Sequence, residues 1–189
     1  MRSLRKENFD WLDSQSRCLN YRRRILDISQ SVGALHVAPA FSCIEIVDVI
    51  YNGLMNSPDG VNSADKFLMS KGHGCMAQYV VLEALGVLSK EHLESYNKPN
   101  GILGAHPDYG TPGIEASTGS LGHGVGMAVG LAYAEKLKRT DNKIFCIAGD
   151  GEMQEGSVWE AIMMAPNLGL NNLVLYVDFN NFQGLERTT

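Results

Sequence analysis

Apolar positions along this chain follow two different rhythms. From Leu4 to about Ser31 the residues are mostly polar and charged, and Ile25, Leu26, Ile28 and Val32 form a narrow stripe at helical spacing, so a helix is expected there. A loop follows, from Val32 to Phe41. Ser42, with Glu45 three residues on, has the form of a capping box, and opens a helix over Cys43–Met55. That helix ends in the turn residues Asn56-Ser57-Pro58-Asp59-Gly60. Lys66–Met69 reads as a short strand, and Cys75–Leu88, Lys90–Tyr96, Val125–Arg139 and Gly156–Leu168 as helices. Two runs, Lys143–Ala148 and Asn172–Val177, are apolar without alternation, as expected for strands covered on both faces. Strand, helix and strand in succession imply a parallel, right-handed βαβ unit, so the fold class is α/β, a parallel sheet flanked by helices.

Between Asn97 and Gly124 regular structure is scarce, and Gly and Pro recur throughout. A long irregular stretch inside a compact domain is usually functional or disordered. This one carries apolar residues and two histidines, a poor composition for disorder.

A length of 189 residues suits one domain, with residues 1–31 as an N-terminal helical segment. No run of about 18 apolar residues is found, so no transmembrane helix is expected, and the N-terminus lacks a signal-peptide layout. The net charge of −5 argues against general nucleic-acid binding. Cys18, Cys43, Cys75 and Cys146 form no CxxC pair and no zinc spacing, so a reduced, cytoplasmic protein is expected. Arg22-Arg23-Arg24 reads as a solvated helix face.

The chemistry begins at Gly149-Asp150-Gly151, just after the first apolar strand. Ligands of open α/β sheets bind outside the carboxyl ends of the strands. Asn180-Asn181 follows the next strand, and in a βαβ unit the two strand ends lie side by side, so Asp150 and Asn180 can converge. One carboxylate and one amide oxygen are too few for an all-protein Mg²⁺ cage. They suit an octahedral cation that completes its shell with phosphate and water. Taken alone, the two motifs read equally well as ordinary turns.

The full stretch GDGEMQEGSVWEAIMMAPNLGLNNLVLYVDFNN, from Gly149 to Asn181, resembles the thiamine-diphosphate signature. Its form GDGxxQEGxxWEA resembles transketolases, rather than the E1 components of 2-oxoacid dehydrogenases or the decarboxylases. Further motifs agree in order: Ser70-Lys71-Gly72-His73, Gly104-Ala105-His106-Pro107, Ser117 to Gly124 (STGSLGHG), and the segment from His36 to Glu45. The resemblance spans about residues 20 to 187. Two glycines of the family's pattern are replaced by Leu35 and Ala38, which should reshape the substrate side of the pocket, and His123 stands where Gln is common. Deoxyxylulose-phosphate synthases share part of the pattern but have a different loop in place of STGSLG.

The resemblance implies a diphosphate-binding domain in which Asp150, Asn180 and the backbone carbonyl of Phe182 hold Mg²⁺ on thiamine diphosphate. Gly119, Ser120 and Leu121 would pack against the aminopyrimidine or its linker, and Gly149, Gly151 and Glu152 would lie by the diphosphate. His36, His73 and His106 would meet a ketose donor and move its proton, a task for which imidazole suits. Gln154 and Glu155 would serve a subunit interface or a supporting shell; His92, in a charged helix, would face solvent. In the family a glutamate from a separate pyrimidine-binding domain activates the cofactor, and that domain does not occur in this sequence. The implied protein is thus one subunit of a two-chain transketolase. It would work with a C-terminal partner subunit, two copies of each chain, on sugar phosphates. The sequence stops soon after the metal motif, as a fragment or a short subunit would. Another thiamine-diphosphate synthase on the same scaffold and a non-catalytic partner-binding module are the alternatives.

Overall fold

The computed structural model describes residues 9–32, 36–56, 65–184 and 186–188. They form two compact units. One comprises residues up to 63 with 73–106 and 111–113; the other comprises 64–72, 107–110 and 114–189.

The first unit is helical: α1 (Trp11–Ser29), α2 (Val37–Asp48) continued by a π turn (Val49–Leu54), α3 (Cys75–Ala84) and the short α4 (Lys90–Glu94). Asp10 starts α1, its carboxylate accepting the backbone N–H groups of Leu12 and Asp13 that have no partner inside the helix. The part of the expected first helix before Phe9 lies outside the described residues. Cys18, Tyr21, Ile25 and Ile28 are the buried face of α1; Leu26, assigned to that stripe from the sequence, is exposed.

The expected capping box at Ser42 does not form. The second helix already begins at Val37, with Ser42 inside it and Pro39 in its first turn, where a missing N–H costs no intrahelical bond. Glu45 instead accepts from both terminal guanidinium nitrogens of Arg22, Nη1 and Nη2, at 2.5 and 2.8 Å. Arg24 grips Glu83 of α3 in the same two-pronged manner. The arginine cluster is therefore a pair of clamps between helices, with only Arg23 left to the surface reading.

Contrary to the sequence expectation, Val37–Leu54 has the length and apolar content of a membrane span. Its Ala40, Cys43, Ile44, Val47 and Ile50 are completely buried among the other helices, which makes it a core helix. All four cysteines are buried, and none forms a disulfide.

The second unit contains a three-stranded parallel sheet in the order β1 (Lys66–Met69), β2 (Ile144–Gly149), β3 (Leu173–Asp178), with α5 (Gly124–Lys138) and α6 (Gly156–Asn167) between the strands in sequence. Ile144, Cys146 and Ala148 of β2 pack with Val125, Ala128, Val129 and Ala132 of α5 and with Val158 and Ala161 of α6. The other β2 side chains, Phe145 and Ile147, are buried too, as an unalternating apolar strand requires. The β3 strand has the same composition but is only half-buried, because it is an edge strand of this sheet, paired among the described residues with β2 alone. A two-stranded antiparallel ribbon follows, β4 (Phe182–Gln183) and β5 (Glu186–Arg187).

One buried charge ties α1 to α2. The Asp48 carboxylate accepts the Ser14 hydroxyl at 2.6 Å, both Nε and Nη2 of Arg17, and the Asn52 amide at 2.8 Å. Asp48→Ala leaves a buried hydroxyl and a partly exposed guanidinium without their acceptor, so a loss of about 2–4 kcal/mol is expected in urea unfolding. A loss below about 0.5 kcal/mol, the range of ordinary surface changes, would show that the clamp is not structural.

Candidate functional site

Parallel strands end along one edge of their sheet, and here each carboxyl end runs into a motif. Ser70-Lys71-Gly72 follows β1, Asp150-Gly151 follows Gly149 at the end of β2, and Phe179-Asn180-Asn181 follows Asp178 at the end of β3. The register pairs Gly149 with Asp178, and the Asp150 N–H donates to the Asp178 carbonyl at 3.2 Å.

Asp150 is buried at this edge. Its Oδ1 accepts the Gly151 N–H at 3.0 Å, and its Oδ2 accepts the Asn181 N–H at 2.7 Å and the Thr188 hydroxyl at 3.1 Å. Asn181 has φ 65°, the left-handed region that asparagine enters more readily than most residues. Asn180 Oδ1 accepts the Phe182 N–H at 2.8 Å, and its Nδ2 donates to Asp178 Oδ2 at 3.2 Å. The same Asp178 oxygen receives Lys71 Nζ, and both charged residues are buried, at 5% and 1% exposure. The sequence pattern assigned no role to Lys71, Asp178, Asn181 or Thr188.

The donor set at this edge is hard and oxygen-rich. A carboxylate offers about four lone-pair sites, and the bonds above occupy three on Asp150. Among the described residues no group of three or more His, Cys, Asp and Glu could hold a metal by itself. Asp150 and Asn180 thus fit a cation such as Mg²⁺ that takes its other oxygens from phosphate and water. Phe182, with its side chain exposed, could add a backbone carbonyl.

Glu152 binds the motif loops to one another. It lies in a single 3₁₀ turn after the Gly149–Gly151 loop and is 1% exposed. Its Oε1 accepts the Ser70 hydroxyl at 2.6 Å and the Gly122 N–H at 3.0 Å; its Oε2 accepts the Gly149 N–H at 3.2 Å. Each donor comes from a different motif. The sequence placed Glu152 beside a diphosphate; in the structure its carboxylate is buried and accepts three protein donors. The loops it joins approach too closely for side chains. A Cβ on Gly72 would lie 2.7 Å from the backbone of Gly119, whose own φ is 134°. One on Gly124 would lie 2.4 Å from Ser70 Oγ. In the same loop Ser120 is exposed and Leu121 half-buried.

The histidines His36, His73 and His106 belong to the first unit and come from three separate segments. Their rings cluster: the centroid of His36 lies 6.1 Å from that of His73 and 5.8 Å from that of His106. The loop carrying His106 is held from α3. Tyr79 donates its hydroxyl to the carbonyls of His106 and Gly104 at 3.0 and 3.3 Å, and Cys75 donates its thiol to the Ala105 carbonyl at 3.2 Å. Burial pushes the Cys75 thiol up to about 12, which keeps it protonated as a donor. Ala38 is exposed in the first turn of α2, whereas Leu35 lies outside the described residues. His92 is not simply solvent-facing: its Nδ1 accepts the Ser89 N–H and closes a capping box at the start of α4. Gln154 and Glu155 are exposed, and the Gln154 amide donates to the Thr188 carbonyl at 3.2 Å.

Glu152→Gln turns one acceptor oxygen into a donor that faces the N–H or O–H groups of Ser70, Gly122 or Gly149. A loss of about 1–3 kcal/mol in urea unfolding is expected, whereas Glu160→Gln on the exposed side of α6 should stay within about 0.5 kcal/mol. Equal, negligible losses for both would mean that the loops do not depend on this carboxylate.

The family described as "Transketolase, thiamine diphosphate binding domain" matches residues 14–184. The chain is 39% identical over 165 residues to an apulose-4-phosphate transketolase subunit of Phocaeicola vulgatus, covering 86% of this chain and 59% of that protein. It is 36% identical over 177 residues to a 6-deoxy-6-sulfo-D-fructose transketolase subunit of a Clostridium species, covering 91% of this chain and 64% of that one. Among solved structures, the transketolase of Campylobacter jejuni superposes with a TM-score of 0.83 at 31% identity, over 93% of this chain and 29% of the longer one. The chain therefore spans about three fifths of the length of these subunit relatives and under a third of that transketolase. With the family match covering nearly the whole sequence, and the three motif loops at one edge of a parallel sheet, this chain belongs to the transketolase thiamine-diphosphate-binding domain family.

Proposed function

We propose that the chain is the N-terminal, cofactor-binding subunit of a two-chain transketolase, which moves a two-carbon ketol unit from a ketose or ketose-phosphate donor to an aldose acceptor. The observation that carries this reading is the meeting of Asp150 with the Asn180–Phe182 turn at adjacent strand ends. Relatives whose names make them single subunits of transketolases support the two-chain form.

In this reading Asp150, Asn180 and the Phe182 carbonyl hold Mg²⁺ on the diphosphate of thiamine diphosphate. Gly149 and Gly151 let the backbone come close to the diphosphate, beside Glu152, while Gly119, Ser120 and Leu121 receive the aminopyrimidine end. When bound, the cofactor supplies the carbanion chemistry; the protein supplies binding, orientation and electrostatics. Glu152 orients the receiving loops through Ser70, Gly122 and Gly149. His36, His73 and His106 bind the donor's hydroxyls. They also take the proton from the hydroxyl oxygen on the carbon that leaves as the aldose, which imidazole can do near neutral pH.

Ketol transfer further requires a carboxylate on the cofactor's pyrimidine, which a C-terminal partner subunit with a pyrimidine-binding domain provides. Exposed Met127 and Phe182 and half-buried Leu121 suit an assembly surface, and two copies of each chain would give a closed symmetric complex. The reaction belongs to carbohydrate metabolism in the cytoplasm. A second reading keeps the chemistry and changes the sugar. Ala38, exposed two residues after His36, favours it, and the relatives' names already carry two different sugars.

Asp150→Ala should abolish the stabilisation of the assembled enzyme by Mg²⁺ and thiamine diphosphate. For the wild type that stabilisation is about 2.7 kcal/mol at a ligand concentration 100 times the dissociation constant. Scanning calorimetry with and without ligands reads this, and an equal shift in both proteins would remove the site. His36→Ala, His73→Ala and His106→Ala should each lower kcat by about 10²–10⁴-fold with cofactor affinity nearly intact. Full turnover of a ketose phosphate by all three variants would refute the donor assignment.

A further inference from the structure

We infer that the buried Lys71–Asp178 pair is a positioning device that helps decide which end of the Asn180 amide faces the cation. This rests on the proposed metal role of Asn180. A side-chain amide has nearly the same shape either way round, so nothing in its packing alone presents oxygen rather than nitrogen. Only oxygen can ligate a hard cation, and a misdirected NH₂ would repel one. The Phe182 N–H, which only donates, and Asp178, whose ionised carboxylate only accepts, together remove the ambiguity. Asp178 Oδ2 takes Asn180 Nδ2 at 3.2 Å, and Asn180 Oδ1 is turned to the Phe182 N–H, at the turn that carries the third candidate ligand.

Lys71 makes this arrangement tenable. Asp178 sits at the strand end beside Asp150 and is 5% exposed. Without a counter-charge it would be a buried anion, and a competing ligand two residues from Asn180. The Lys71 ammonium, 1% exposed, binds the same Oδ2 that receives Asn180. The charge of Asp178 is thus balanced inside the protein, and Asp150 remains the carboxylate offered to the cation. Lys71 and Asp178 act through Asn180 and are positioning residues. Groups that orient a metal ligand from behind typically affect metal affinity by about 10–100-fold.

Two double variants separate orientation from simple packing. Lys71→Met/Asp178→Leu removes both charges and the acceptor; Lys71→Met/Asp178→Asn removes both charges but keeps a carbonyl oxygen able to accept from Asn180. Replacing a buried ion pair by apolar groups of similar volume is often neutral for stability, so the leucine variant should unfold near the wild-type midpoint, and urea unfolding checks that the asparagine variant is folded too. Mn²⁺ is titrated into the full chain with saturating thiamine diphosphate, and free Mn²⁺ is read by electron paramagnetic resonance. The leucine double variant should bind Mn²⁺ about 10–100-fold more weakly, and the asparagine one close to wild type. Equal affinities in the two double variants, whether high or low, would overturn the inference. Asp150→Ala serves as reference: if it binds Mn²⁺ like the wild type, the cation site falls and the inference with it. If Asp150→Ala alone weakens binding, only the inference falls. Nuclear magnetic resonance of the unaltered chain adds a check independent of any variant's folding. An Asn180 Nδ2 proton should exchange slowly before any cation is added, and free exchange would overturn the proposal.

Discussion

The hydrogen bonds of the Glu152 carboxylate are the constraint on which the candidate cofactor site depends. A parallel sheet delivers three loops to one edge, but loops rich in glycine have no reason to stay together. Backbone freedom is what glycine contributes, and it has to be taken away again by something else. Glu152 does so from inside, with one oxygen for Ser70 and Gly122 and the other for Gly149. Hydrogen bonds to a charged group are stronger than neutral ones, and more so away from water. The glycines then serve a second purpose, since Gly72 against Gly119 and Gly124 against Ser70 leave no space for a Cβ.

A division of labour among acidic residues follows from this. Glu152 and Asp178 are both buried, and both are answered from within, one by hydroxyl and backbone donors and the other by Lys71. Asp150 also has three protein donors, yet they leave room for a further partner on its oxygens. A site built this way offers the Asp150 carboxylate to a divalent cation arriving with a diphosphate, while Asp178 is balanced by Lys71 and Glu152 is turned to protein donors. That matches the limited protein share expected of a Mg²⁺–phosphate site.

Much of this was legible in the sequence because it rests on period and position. The unalternating run from Lys143 to Ala148 announced a two-sided strand, and β2 is one; Gly149-Asp150-Gly151 and Asn180-Asn181 lie at neighbouring strand ends, as the βαβ pattern implied. What escaped depended on partners distant in sequence. Ser42 and Glu45 had the spacing of a capping box, but Arg22 on another helix claimed Glu45 and the helix began earlier. Arg22 and Arg24 looked like surface charge until Glu45 and Glu83 were found opposite them. The Asn172–Val177 run had the composition of a central strand and is an edge strand in this sheet, a difference of neighbours that no local pattern encodes. Lys71 and Asp178 are 107 positions apart, and only the pairing of β1 and β3 with β2 explains how two charges come to be buried together.

If Glu152 ties the motif loops in advance, the cofactor edge is formed before any cofactor arrives. Amide hydrogen exchange at Gly122 and Gly149 in the cofactor-free chain measures this directly. Both N–H groups donate to Glu152, and their exchange should be slowed to nearly the level of the β2 core amides such as Ile147, with opening tied to cooperative unfolding. Exchange at the rate of exposed loop amides, slowed only after thiamine diphosphate and Mg²⁺ are added, would contradict a preformed site.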